Sequence, residues 1–181
     1  MVREKQPKAI LFTHHHADHF SPELAERAKE MRPGFYRIPG DGGAEEGSVS
    51  IGPMEIRWMH LEHDDPEEYG IENTGYFISL HGRHFLFPGD CPPGSPEVKK
   101  LTRGENVDVA FLNFSWIVNP RGRKGLEEFL RPGHIVCEHL PCGGKDPAGF
   151  LFTVRNSVRR YCHDADIRIM DHYLQNEIFE L

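Results

Sequence analysis

His14-His15-His16-Ala17-Asp18-His19 carries the spacing H-x-H-x-D-H, four ligand-type side chains inside one stretch of six residues. Just before it, the apolar run Ala9 to Phe12, ending in Thr13, predicts a short buried strand that delivers the cluster at its C-terminal end. Just after it, Ser21 at an N-cap and Pro22 at the first helical position lead into Glu23, Leu24, Ala25, Arg27, Ala28 and Met31. These predict a helix that Pro33-Gly34 stops. The cluster therefore occupies a strand-to-helix loop. His14 and His16, two apart at a strand end, can point to one side and grip one ion, while Asp18 and His19 turn back to grip a second. An affinity-tag remnant would be a homopolymer at a terminus; this run is broken by Ala17-Asp18 and lies between two elements.

Further along, short β-like segments separated by Gly and Pro run from Gly34 to Gly89: Phe35–Ile38, Ser48–Ile51, Met54–Leu61, Tyr76–His81 and His84–Phe87, with a hairpin turn at His81-Gly82-Arg83. After Asp90 the pattern alternates. Ser95–Leu101 reads as helix, Val107–Phe114 as an apolar strand, Gly125–Leu130 as helix and His134–Glu138 as strand. Ala148–Cys162, with a stripe at Phe150, Leu151, Val154, Val158 and Tyr161, reads as helix before a last strand at Ile167–Met170. The expected fold class is a layered α/β (α+β) domain spanning residues 1–181.

The loop motif resembles the signature of the metallo-β-lactamase superfamily, and the later pieces follow in that family's order. Ile56-Arg57-Trp58-Met59-His60-Leu61-Glu62-His63 is similar to the strand that ends in the third histidine of a first metal. Phe85-Leu86-Phe87-Pro88-Gly89-Asp90 is similar to the strand running into a bridging aspartate, and His134-Ile135-Val136-Cys137-Glu138-His139 to the late strand whose terminal histidine completes a second metal. The likeness covers about residues 8 to 140 and is nearest to the lactonase-like and phosphodiesterase-like branches. It implies an αββα sandwich. It also implies one ion on His14, His16 and His63, another on Asp18, His19 and His139, and Asp90 spanning both. His60 competes with His63 for the third position. Three residues of spacing put the two on opposite faces of an extended chain, and the one beyond the strand end, His63, is favoured. His15, His81, His84, His134, His163 and His172 are read as surface or structural residues.

Two divalent ions about 3.5–4 Å apart bring the pKa of a bridging water near neutrality, which makes hydrolysis of an ester, lactone or phosphodiester of a small substrate the expected reaction. Asp18 is the expected catalytic side chain, orienting the hydroxide or shuttling a proton. Histidine-rich ligation with two carboxylates suits zinc, two Zn²⁺ per chain, with Mn²⁺ or Fe²⁺ as alternatives. The family's di-iron electron-transfer branch resembles H-x-E-x-D-H, whereas His16 stands in the glutamate's place here. The alternative class is a non-catalytic relative that keeps metal for binding or structure. Arg121-Gly122-Arg123-Lys124, in a β-to-α connection, is a candidate for holding an anionic group, and Asn113 and Trp116 are candidates for lining the pocket.

Bulk properties narrow the partners. With 21 basic against 28 acidic residues and a net charge of −7, the chain has no electrostatic footprint for nucleic acid. The charged N-terminus and the lack of a long apolar run point to a cytoplasmic protein without a membrane partner, and Cys91, Cys137, Cys142 and Cys162 read as free thiols. One departure stands out: a single short strand precedes His14 where the family has several. The first sheet is expected to be N-terminally shortened, with its open edge covered by a second copy in a homo-oligomer.

Overall fold

The structure, a computed structural model, describes residues 7–38, 40, 43–65, 71–142, 146–162, 165–172 and 175–181. His163 lies outside them. Strand β1 (Ala9–Leu11) pairs in parallel with β2 (Phe35–Arg37), and helix α1 (Pro22–Glu30) connects the two. The helix begins as the sequence predicts, with Ser21 extended at the N-cap and its hydroxyl accepting from the Leu24 N–H.

The second sheet has seven strands in chain order: β3 (Glu46–Ile51), β4 (Met54–Leu61), β5 (Asn73–Leu80), β6 (Arg83–Phe87), β7 (Val109–Asn113), β8 (His134–Glu138) and β9 (Asp166–Ile169). From β3 to β6 the pairing is antiparallel, and from β6 to β9 it is parallel. Parallel pairing needs crossovers. These are α2 (Glu97–Thr102), the run α3 (Ser115–Val118) and α4 (Pro120–Gly125) continuing into a π-helical turn (Leu126–Leu130), and α5 (Phe150–Tyr161).

Strand alternation sorts the layers. On β2, Tyr36 turns outward and donates its hydroxyl to the Ala25 carbonyl of α1, while Phe35 stacks on Trp58 of β4 and Arg37 lies over the same ring. On the large sheet, Leu61, Phe77, Leu86, Ala110, Leu112, Ile135 and Cys137 face the other way, forming the main core with Val98 and Leu101 of α2, Trp116 and Ile117 of α3, and Val154 of α5. The order is α1, two-stranded sheet, seven-stranded sheet, helices: the expected αββα sandwich, with two strands in its first sheet among the described residues.

Two expectations are corrected. Arg121 to Lys124 lie in α4 rather than in an open connection, because Asn119 caps the helix through the Arg121 N–H and Pro120 sits at its first position. Trp116 is fully buried in the core and lines no pocket wall at the histidine cluster. Among the described residues no helix is long and apolar enough to cross a membrane.

Candidate metal centre

Strands β4, β6, β7 and β8 run in one direction, since β4 and β6 each lie antiparallel to β5 and β7 and β8 follow β6 in parallel. Residues just past their C-terminal ends therefore share one rim of the sheet. His63 follows β4, Asp90 follows β6, Asn113 ends β7 and His139 follows β8. The loop after β1 is docked onto the same rim by the Tyr76 hydroxyl, which donates to the Phe12 carbonyl at 2.7 Å, and by the Thr74 N–H, which donates to the Thr13 carbonyl at 2.7 Å. Beyond Thr13 the backbone turns, with the His19 and Phe20 N–H groups both donating to the His16 carbonyl.

All seven residues singled out in the sequence come together in two groups. His14, His16, His63 and Asp90 can offer ligand atoms within 4.8 Å of one another, as can Asp18, His19 and His139. The rings of His14, His16 and His63 lie 4.7 to 4.9 Å apart at angles of 73° to 88°. Between the groups sits Asp90. Its Oδ2 is 3.6 Å from His14 Nε2 and 4.0 Å from His63 Nε2 on one side, and 3.4 Å from His19 Nε2 and 3.2 Å from His139 Nε2 on the other. Asp18 Oδ2 lies 3.1 Å from His139 Nε2 and 3.7 Å from His19 Nε2. His60 is exposed within β4 and belongs to neither group.

The surrounding contacts aim these side chains. Thr13 Oγ1 lies 3.0 Å from His14 Nδ1 and 3.4 Å from His19 Nδ1, which leaves both Nε2 atoms for the centre. The second oxygen of Asp90 faces the amide of Asn113 at 3.5 Å. Gly89 takes φ +59°, and a Cβ there would stand 2.2 Å from Asn73 Oδ1 and 3.0 Å from Thr13 Cβ, so only glycine permits the turn that swings Asp90 inward. His139 itself adopts φ +62°, a left-handed conformation that bends the chain sharply at the end of β8.

The electrostatics suit cations. Burial disfavours the Asp90 carboxylate, but hydrogen bonds from His139 and His19 outweigh it and hold the group far below the usual carboxylate range. Burial, reinforced by the neighbouring His19 and opposed by Asp90, lowers His14 to about 4, so its ring is neutral at pH 7, the state in which it can ligate. His14 Nε2 is buried with no hydrogen-bond partner, and a buried imidazole nitrogen left in that condition fits a metal ion. The Asp65 N–H donates to His63 Nδ1 at 3.0 Å. A ring that gives Nε2 to an ion keeps its proton on Nδ1, so ion binding and this contact exclude one another.

A cavity of about 450 Å³ opens over the rim, its wall including Asp64, Asn113, Phe114 and Ser115 beside the histidines. Asn113 was legible from its place at a strand end. Tyr76, Asn73 and Thr13, which set the loop and the turn, were not, because their partners lie far away in sequence. Arg121, Arg123 and Lys124 do not reach this wall; Arg123 donates to the Ile117 and Val118 carbonyls and lies over Tyr161.

No family model matches the sequence. A UPF0173 metal-dependent hydrolase from Deinococcus radiodurans is 26% identical over 193 residues, covering 94% of this chain and 80% of the relative. Among solved structures, the metallo-β-lactamase fold protein YhfI from Bacillus subtilis superposes with a TM-score of 0.60 at 13% identity, over 91% of this chain and 74% of that one. The diiron β-hydroxylase CmlA from Streptomyces venezuelae superposes with a TM-score of 0.62 at 17% identity, over 89% of this chain and 43% of that one. Layer order and these superpositions give the chain the metallo-β-lactamase fold, with its histidine and aspartate groups on one rim, and its sequence is similar to that of a metal-dependent hydrolase.

Proposed function

We propose that the chain is a hydrolase that holds two divalent ions, one on His14, His16 and His63, one on Asp18, His19 and His139, with Asp90 shared, and cleaves an ester, lactone or phosphodiester bond of a small substrate. The single observation that carries this reading is Asp90 Oδ2, which faces two histidine nitrogens of each group at 3.2 to 4.0 Å. Two such ions, when bound, acidify water and act as Lewis acids, so a nucleophile is available at neutral pH without a reactive protein side chain.

The chain's own residues supply the rest. Asp90 carries negative charge to the midpoint, and Asn113 fixes its second oxygen. Asp18, exposed and next to His139, is placed to orient the attacking water and to hold its proton. Zinc is the favoured metal on the ligand types, with manganese and iron next.

Metal analysis by inductively coupled plasma mass spectrometry tests the site: about two equivalents in the wild type, with losses in His16→Ala and Asp90→Ala. A wild type that takes up no metal on reconstitution removes the proposal. Asp18→Asn is expected to keep both ions and lose turnover; full turnover would release Asp18 from its role. Among the described residues β1 pairs with β2 alone, so the proposal extends to a second copy covering the other edge of β1. Light scattering that finds only monomer at micromolar concentration would remove that part.

A further inference from the structure

Beside the histidine rim the cavity continues into a groove of about 640 Å³ whose wall begins again with Asp18, His19 and His139. Apart from Glu138, the lining away from these residues is mostly apolar, with Phe114, Leu140, Pro141, Phe150 and Met170 beside Cys142. Asp18, Phe114 and His139 line both cavity and groove, so the groove adjoins the rim. Phe114 and Phe150 approach to 5.0 Å between ring centroids at 47°, and Phe150 remains 40% exposed, a large apolar face beside a charged centre. No arginine or lysine lines either part among the described residues, while Asp18, Asp64 and Asp65 stand around the rim.

Resting on the hydrolase reading, we propose that the substrate is an uncharged carboxylic ester or lactone with a medium-length apolar acyl chain, its carbonyl at the rim and its chain along Phe114 and Phe150. Apolar surface removed from water favours such a chain, each buried methylene adding severalfold in binding. The bound ions would meet a phosphodiester's charge as readily as an ester carbonyl, so it is the apolar lining beyond the rim that favours an acyl chain. In the reaction, water oxygen bonds to the acyl carbon and the C–O bond to the leaving alcohol breaks. The alcohol oxygen takes a proton, Asp18 being placed to pass it, and the acid leaves as carboxylate with its second proton given to solvent.

The test uses the full chain reconstituted with zinc. Hydrolysis of p-nitrophenyl acetate, butyrate and octanoate and of bis(p-nitrophenyl) phosphate is followed in the wild type, Phe150→Ser and Phe152→Ser, and acetate and octanoate are titrated calorimetrically. Phe152 is 71% exposed and lies outside the groove, so its variant controls for general surface stickiness. The expected result is a kcat/KM that rises about tenfold or more from acetate to octanoate, collapses in Phe150→Ser and persists in Phe152→Ser. A flat series, a series that Phe150→Ser leaves intact, or a preference for the phosphodiester overturns the groove and leaves the hydrolase standing. If no ester is cleaved, the titrations decide. Octanoate binding at least tenfold tighter than acetate, and weakened by Phe150→Ser, keeps the groove and removes the hydrolase; equal binding removes the groove as well.

Discussion

The two halves of the candidate metal centre differ in how deeply they are set. In the group of His14, His16, His63 and Asp90, His14 and Asp90 are buried and the other two half-buried, whereas Asp18 and His139 of the second group are exposed and only His19 is half-buried. Both groups draw on the loop held by Thr13 and Tyr76; the first adds His63 and Asp90 from strand ends, while the second adds His139 in a left-handed turn. A more deeply buried set keeps water out, so the same ligand chemistry binds more tightly there once His63 gives up its contact with the Asp65 N–H. The two positions should therefore fill in order, the first before the second.

Asp90→Ala should have the largest effect. Removing the shared carboxylate should empty the second position, weaken the first, and lower turnover by about a thousandfold or more; calorimetric zinc titration should lose its two-step form. Next in size, His139→Ala should remove only the later, weaker step. Turnover should fall about a hundredfold while one equivalent stays tightly bound, and loss of both equivalents would show that the halves do not fill separately. Asn113→Ala leaves every ligand-type side chain in place but frees the second oxygen of Asp90; affinity should drop about tenfold, in both steps alike.

The smallest effect is one of pH on the metal-free protein. His14 is lowered from 6.5 to about 4 by burial and His19, so the stability contributed by its neutral ring is complete above pH 6.5 and is lost as pH falls toward 4. His139, raised chiefly by its hydrogen bond to Asp90, behaves oppositely, its contribution complete below pH 6.5 and lost as pH rises through the raised value. Urea midpoints should therefore fall on the acid side in the wild type, and His14→Gln should flatten that limb. An acid limb unchanged in the variant would assign it to other groups.

Much of this arrangement was readable from local signals. The loop of residues 14–19 is contiguous, the cap of α1 needs only Ser21-Pro22, and Gly89-Asp90 closes an apolar strand, so each announces itself within a few residues. His63 over His60 followed from the strand ending at Leu61, because a side chain must pass the end of the pleat to reach the rim. What escaped was set by contacts that leave no periodic trace. Tyr76 meets Phe12 across 64 residues, and Asn73 meets the Pro88 carbonyl across the β5–β6 pair. The stretch from Ser115 to Leu130 was read as helix only over Gly125–Leu130, the part that forms the π-helical turn. α3 is a single turn and α4 carries no apolar stripe, so hydrophobic spacing alone could not assign them or show that Trp116 faces the core.

The contiguity of the first loop has a further consequence for heat denaturation. An unfolded chain still carries His14, His16, Asp18 and His19 side by side, a linear chelator that needs no loop closure, while His63, Asp90 and His139 must be recruited across long spans of disordered chain. Added zinc will therefore bind the denatured ensemble as well as the native one. The rise in melting temperature with metal should fall short of what the native affinity alone would give.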